Sequence, residues 1–254
     1  MSNLVTRRTL LKTALGASAL TIAGGAAAVL VKRYGLVPPD NVGFYGFGET
    51  LTYATQRVLL PRRSLAREFS RIRISENFPA FGTTMPSYQP YMWSMIENFE
   101  NWRLPVDGLV EREGRFSLAE LKQFPSRTQV TEHVCEEGWS AIGEWTGVQL
   151  STVLSTVGVR PEARYVVFYC VDGHWGCIDM EDAWHPQTLL AYGMNGSNLQ
   201  VPHGAPVRLR VERQLGYKSL KYVGRITVTD TVKDIGKGMG GSDPEAGYSW
   251  YAGI

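Results

Sequence analysis

The sequence predicts an α+β fold built on a mixed sheet, and three observations predict it. Strand-like and helix-like stretches interleave from about residue 102 onward instead of falling into separate blocks. No Gly-x-Gly-x-x-Gly directly follows a predicted strand, and no Gly-x-x-x-x-Gly-Lys-Ser/Thr occurs, so the phosphate-binding turns of doubly wound folds are missing. The 254 residues suit one core with appendages. Lys and Arg number 26 against 24 Asp and Glu, a balance that argues against nucleic acid as a partner.

The elements follow in chain order. Arg7-Arg8 and Leu10-Leu11-Lys12 precede an apolar, Ala/Gly-rich run over 13–31, so 1–33 reads as a twin-arginine signal or an anchor. That pathway implies the twin-arginine export machinery as a partner and a periplasmic location, or one on the outer face of the cytoplasmic membrane. Residues 34–75 show no sustained period and read as a linker, which leaves 76–254 as the folded domain. Extended chain is expected at 102–106, with a turn at Asp107-Gly108. A short helix should open at Ser117, where Glu120 completes a capping-box pattern. Strands are expected at 128–134, 165–171, 207–211 and 226–229, and helices at 148–157 and 180–192.

Three cysteines, Cys135, Cys170 and Cys177, cannot all pair within one chain. A zinc site is disfavoured, because there is no Cys-x-x-Cys and the four histidines lack paired ligand spacing. Cys135 ends a predicted strand and runs into the Gly138 turn, a position that presents a side chain into a cleft. A thiolate there suits a sulfur-rich metal centre, and a buried strand-end cysteine fits the segment equally well. A second stretch, from His203 through Arg208 to Lys218-Ser219-Leu220-Lys221, spaces cations around glycines. It could seat a phosphate or form a solvated face.

Taken together, Cys135-x-Glu137-x-Trp139-Ser140, Trp145-x-Gly147-x-x-Leu150, Gly204-Ala205-Pro206-Val207-Arg208 and Gly216-Tyr217-Lys218-Ser219-x-Lys221 resemble the molybdopterin domain of the sulfite oxidase family. Within that family the likeness is to the envelope branch that includes the catalytic subunit of periplasmic methionine sulfoxide reductases, and it runs from about Asn77 to Asp230. The resemblance implies a sulfite-oxidase-type mixed-sheet fold and a cofactor of molybdenum held by molybdopterin. Cys135 matches the protein's metal ligand, with Glu137 and Asn77 beside it as catalytic candidates. Asn77, Cys170, His203, Arg208, Lys218, Ser219 and Lys221 match cofactor contacts, and this replaces the solvated-face reading of the cations.

The chain departs from the reductase at Pro79-Ala80, and its loop over 171–177 is short, which leaves Asp172, His174 and Trp175 as pocket candidates. Sulfite oxidases carry arginines just after the metal cysteine, where this chain has Glu136 and Glu137. Like charge there disfavours sulfite. The expectation is an exported oxygen-atom-transfer enzyme acting on a small S-oxide or N-oxide. No Cys-x-x-Cys-His haem motif is present, so electrons are expected from a membrane haem subunit, a quinone-linked subunit or a cytochrome. Sulfite-type oxidation and a non-catalytic binding domain are the alternatives.

Overall fold

The computed structural model describes residues 35–60 and 64–254. The signal or anchor expected over 1–33 lies outside the described residues, among which no helix is long and apolar enough to cross a membrane.

In chain order the elements are α1 (Gly46–Leu59), α2 (Gln89–Ile96), β1 (Arg103–Gly108), β2 (Gly114–Ser117), α3 (Leu118–Gln123), β3 (Ser126–Val134), β4 (Ser140–Gln149) and α4 (Leu150–Val157). They continue with β5 (Tyr165–Cys170), β6 (Trp175–Asp179), α5 (Met180–Ala183), β7 (Leu189–Met194), β8 (Ser197–Asn198), β9 (Arg208–Arg210), β10 (Val223–Thr229) and α6 (Ser242–Glu245). One sheet has the order β2-β1-β10-β5-β6, with β1 parallel to β10 and its other neighbours antiparallel. The second is antiparallel in the order β3-β4-β7-β8, and β9 also pairs with β7. The α+β, mixed-sheet expectation holds.

The main core contains Leu104 and Val106 of β1, Val166 and Phe168 of β5, and Val148 and Leu190 of the second sheet. Leu150, Val153, Leu154 and Val157 of α4 complete it, the i, i+3, i+4, i+7 spacing of one helix face. That helix stops at Gly158, whose φ of +71° suits a residue without Cβ. At α3 the expected capping box is present: Ser117 Oγ accepts from the Glu120 N–H, and Glu120 accepts from the Ser117 N–H at 2.7 Å.

Three expectations change. The helix expected over 180–192 is only the four-residue α5, followed by β7, because Pro186 interrupts it and every residue of β7 is buried. A short, continuously apolar run does not separate helix from strand. The helix expected over 148–157 begins at Leu150, its first two residues ending β4. The stretch 34–75, expected as a linker, holds α1 and joins the domain: the Phe69 N–H donates to Val130 O (2.8 Å) and Ser75 N–H to Ile142 O (3.0 Å).

Helix α1 is anchored by charge. Arg57, its side chain 4% exposed, reaches Asp179 (2.5 Å) and Asp182 (2.9 Å), and Arg213 reaches Asp182 from the other side (2.5 Å). Tyr53 OH donates to Asp179 (2.6 Å), and the Arg57 guanidinium lies 4.4 Å from the Tyr251 ring centre. Burial alone would raise the Asp182 carboxyl, but Arg57 and Arg213 outweigh it and hold it at about 2. A folded pKa below the unfolded value makes this contribution full above pH ~4 and lost as pH falls toward 2. Replacing Arg57 by Met takes one guanidinium from both buried carboxylates and leaves Arg213 on Asp182. It should cost about 3–5 kcal/mol in urea unfolding at pH 7, and the gap between variant and wild type should narrow on acidification.

Candidate cofactor site

The site begins at the end of β3. Alternation along the strand buries Thr131, His133 and then Cys135 on one side. The following turn closes through Gly138 N–H to Cys135 O (3.1 Å) and Cys135 N–H to Trp139 O (2.9 Å), which fixes the thiol at the floor of a cleft of about 240 Å³. Burial raises the Cys135 thiol, and Glu136, whose Oε2 is 3.6 Å from Sγ, raises it further, while the Glu137 backbone N–H opposes both.

His133 is buried beside it. Arg210 can only donate, so its 2.8 Å bond makes His133 Nδ1 the acceptor and leaves the ring proton on Nε2. Burial, then the charges of Arg210 and Arg208, push this imidazole down to about 2, so it stays neutral. Gly216 passes close by: a Cβ at 216 would come within 2.5 Å of His133 Nε2, so glycine is required there by space.

The cations at the other side of the cleft lack carboxylate partners. Arg208, buried under the wall, donates to His203 O (3.0 Å) and Ser219 O (2.7 Å), and its Nε has no hydrogen-bond partner. Burial, then the neighbouring Arg210, lower it to about 9. Lys221 Nζ donates to Phe81 O (2.5 Å), Pro202 O (3.1 Å) and, at close range, Thr83 O. Burial, then Arg208, lower it to about 8. Carbonyls satisfy hydrogen bonds without neutralising charge, so an anion entering the cleft would supply the missing countercharge.

Of the residues expected from sequence, Cys135, His203, Arg208, Ser219 and Lys221 line this one cleft, as do the pocket candidates Asp172 and His174. The others do not. Asn77 and Glu137 are exposed and outside the lining, which instead takes their neighbours Phe78 and Glu136. Cys170 lies in the hydrophobic core. Lys218 is buried against Trp250, 5.0 Å from its ring centre, and donates to Cys177 O (3.3 Å). Trp175 packs beside the Trp250 cluster. All three cysteines are free.

Sequence reasoning gave no role to His133, Tyr217 or Asp243. His133 was available from the two-residue period; Asp243 was not, because it arrives on α6, far along the chain. Its carboxylate meets His174 Nε2 at 3.0 Å. That hydrogen bond, which outweighs partial burial, raises His174, with Asp172 adding to it. Among the described residues His174 is the histidine shifted upward, whereas burial shifts His133, His185 and His203 downward.

A buried thiol facing an anion seat, on a mixed-sheet α+β scaffold, defines a domain suited to an anionic cofactor. The chain belongs to the family of the oxidoreductase molybdopterin binding domain, whose model matches residues 91–235. It is 42% identical over 153 residues to a protein of Azospira oryzae that carries the provisional name protein-methionine-sulfoxide reductase subunit YedZ1, covering 60% of this chain and 56% of that one. It is 29% identical over 180 residues to the protein-methionine-sulfoxide reductase catalytic subunit MsrP of Campylobacter jejuni, covering 63% and 60%. The chain thus spans less than two thirds of the length of these relatives. Among solved structures, the sulfane dehydrogenase SoxCD from Paracoccus pantotrophus matches with a TM-score of 0.50 at 28% identity, over 52% of this chain and 39% of that one. The sulfite oxidase family resemblance is borne out.

The residues present fit molybdopterin: the unpartnered Arg208 Nε, the carbonyl-held Lys221 and the Ser219 wall suit its phosphate, and the Cys135 sulfur suits its metal end. Two measurements follow. Lys221→Gln removes one charge-assisted contact and should lower pterin retained per chain, by about 1.5–3 kcal/mol or roughly ten- to a hundredfold in affinity. In NMR titrations His174 should titrate above its ordinary value of ~6.5, and in Asp243→Asn the midpoint should fall. A raised folded pKa means that the pair stabilises the fold below ~6.5 and that the contribution fades as pH rises through the folded value.

Proposed function

We propose that the chain is the catalytic part of an exported molybdenum enzyme that reduces a small S-oxide or N-oxide. The observation that carries the reading is one cleft holding both the buried Cys135 thiol and the uncompensated cations Arg208 and Lys221. The relatives named as methionine sulfoxide reductases support the direction of the reaction, and methionine sulfoxide is the first substrate to try. Export by the twin-arginine route to the periplasm, or to the outer face of the cytoplasmic membrane, accords with Arg7-Arg8 and the apolar run behind them.

When bound, the molybdenum cofactor supplies a two-electron couple for moving an oxygen atom. The protein supplies the rest. Cys135 loses its proton when a metal cation outweighs the burial that otherwise keeps it a thiol. Arg208, His203, Ser219 and Lys221 would hold the phosphate end of the cofactor. Phe78, packed edge-on to Trp145, His203 and Trp139, seats the Pro79-to-Thr83 segment that lines the cleft.

Reduction of an S-oxide takes two electrons and two protons and releases a sulfide and water. His174, hydrogen-bonded to Asp243 on the cleft wall, is a proton-carrying group facing that space. The electrons come from a membrane haem subunit, a quinone-linked subunit or a cytochrome. Glu136 in the lining opposes sulfite, so sulfite-type oxidation ranks below S-oxide reduction.

The test is metal analysis and turnover on the full chain from a host that makes the cofactor. The wild type should hold near one molybdenum per chain and oxidise reduced viologen on addition of methionine sulfoxide. Cys135→Ser should lose the molybdenum-dependent absorption and the activity. A wild type without molybdenum would leave a binding domain on this fold, and one that holds molybdenum but turns over only sulfite would reverse the direction.

A further inference from the structure

The outward face of α1 has no charge. Its solvent side carries Phe47, Gly48, Leu51, Thr52, Thr55 and Leu59, all exposed, while Arg57 is buried in the Asp179–Asp182 cluster and Glu49 accepts from Ser249 Oγ (3.1 Å). The helix therefore turns its charges toward the protein and its large apolar groups away from it, the reverse of a water-facing helix. The turn leading into it extends the face: Phe44 is 93% exposed, and Val42 and Tyr45 stand out beside it. Isolated exposed apolar side chains are ordinary; a contiguous uncharged face is the mark of a contact.

What covers this face is indicated by the adjoining sequence. An apolar run of 19 residues, 13 through 31, precedes it and ends in Lys32-Arg33, close to the ~20 residues that match a bilayer. Ten residues lie between Val31 and Val42, a reach of at most ~40 Å for extended chain. A second basic pair, Arg62-Arg63, follows the helix. Aromatic and aliphatic groups flanked by Lys and Arg are the composition of a surface that rests in the headgroup boundary of an anionic membrane.

We propose that this face, Phe44, Phe47, Leu51 and Leu59 with their neighbours, docks on the lipid surface, so that the domain lies against the membrane through α1. The inference is independent of the redox reading and stands or falls without it.

All three native cysteines are buried, so one introduced cysteine can be labelled selectively. The full chain, reconstituted into phosphatidylethanolamine–phosphatidylglycerol vesicles, is labelled with a fluorophore at Phe44→Cys, Phe47→Cys or Leu51→Cys. Arg115→Cys serves as the control, since it lies on β2 at the sheet edge opposite β6. The helix labels should be quenched by nitroxide lipids and be several-fold less accessible to aqueous acrylamide than the control. Should an apolar replacement unfold the protein, Thr55→Cys on the same face gives the same readout. Acrylamide access equal to that of the control overturns the proposal. Shielding from both quenchers also overturns it, and assigns the face to a protein partner or a second copy.

Discussion

The site depends on two guanidinium groups buried side by side. Arg208 and Arg210 alternate with the core residue Leu209 on β9, so the two-residue period sends both toward Trp145, their charges 5.0 and 4.3 Å from its ring centre. What separates them is countercharge. Arg210 has Glu212, at 2.7 and 2.9 Å, and is thereby structural; its remaining donor fixes the tautomer of His133, against which Gly216 is packed. Arg208 has only carbonyl oxygens and an unpartnered Nε. A buried cation in that state is costly until an anion arrives, so the same strand holds the wall rigid with one arginine and leaves the other for a ligand.

The two halves of the cleft then complement each other. At the cysteine end, burial and Glu136 favour the neutral thiol and outweigh the Glu137 backbone N–H, so a metal cation would be needed to tip the balance to thiolate. At the other end, burial lowers both Arg208 and Lys221, with Arg210 adding to the first shift and Arg208 to the second, and an anion would offset both. A ligand with a metal at one end and a phosphate at the other relieves both conditions at once, which neither a free metal ion nor a free phosphate would do.

Much of this was legible in the sequence, and the failures have physical causes. Local signals held: the Ser117 capping box, the 150–157 periodicity and the strand ending just before Cys135 depend on neighbours a few residues away. Five of the expected site residues line the cleft because motif spacing carries over where backbone geometry is retained. The direction of a side chain carries over less well. Glu136 rather than Glu137 enters the lining because the tight turn after Cys135 breaks the alternation, and Lys218 turns inward to Trp250 from the one-turn helix at Gly216–Lys218 while Ser219 and Lys221 remain at the wall. Asp243 joins His174 across 69 residues, which no local pattern encodes.

The misreading of 34–75 as a linker has a different origin. Hydrophobic periodicity finds a helix by assuming that apolar groups face the protein and charges face water. In α1 the buried positions Gly46, Tyr53 and Arg57 include a charge that the interior accepts because Asp179 and Asp182 are already there, and the exposed positions carry no charge and include Phe47, Leu51 and Leu59. The pattern is inverted, so the helix gave no signal. An inversion of this kind places a strong ionic cluster on one side of a single helix and leaves the other side poorly matched to water. The ionic side holds α1 against β6 and α5 and thereby keeps the apolar side facing outward. Without Arg57 in the cluster, the apolar residues would be free to turn inward and compete for the same surface.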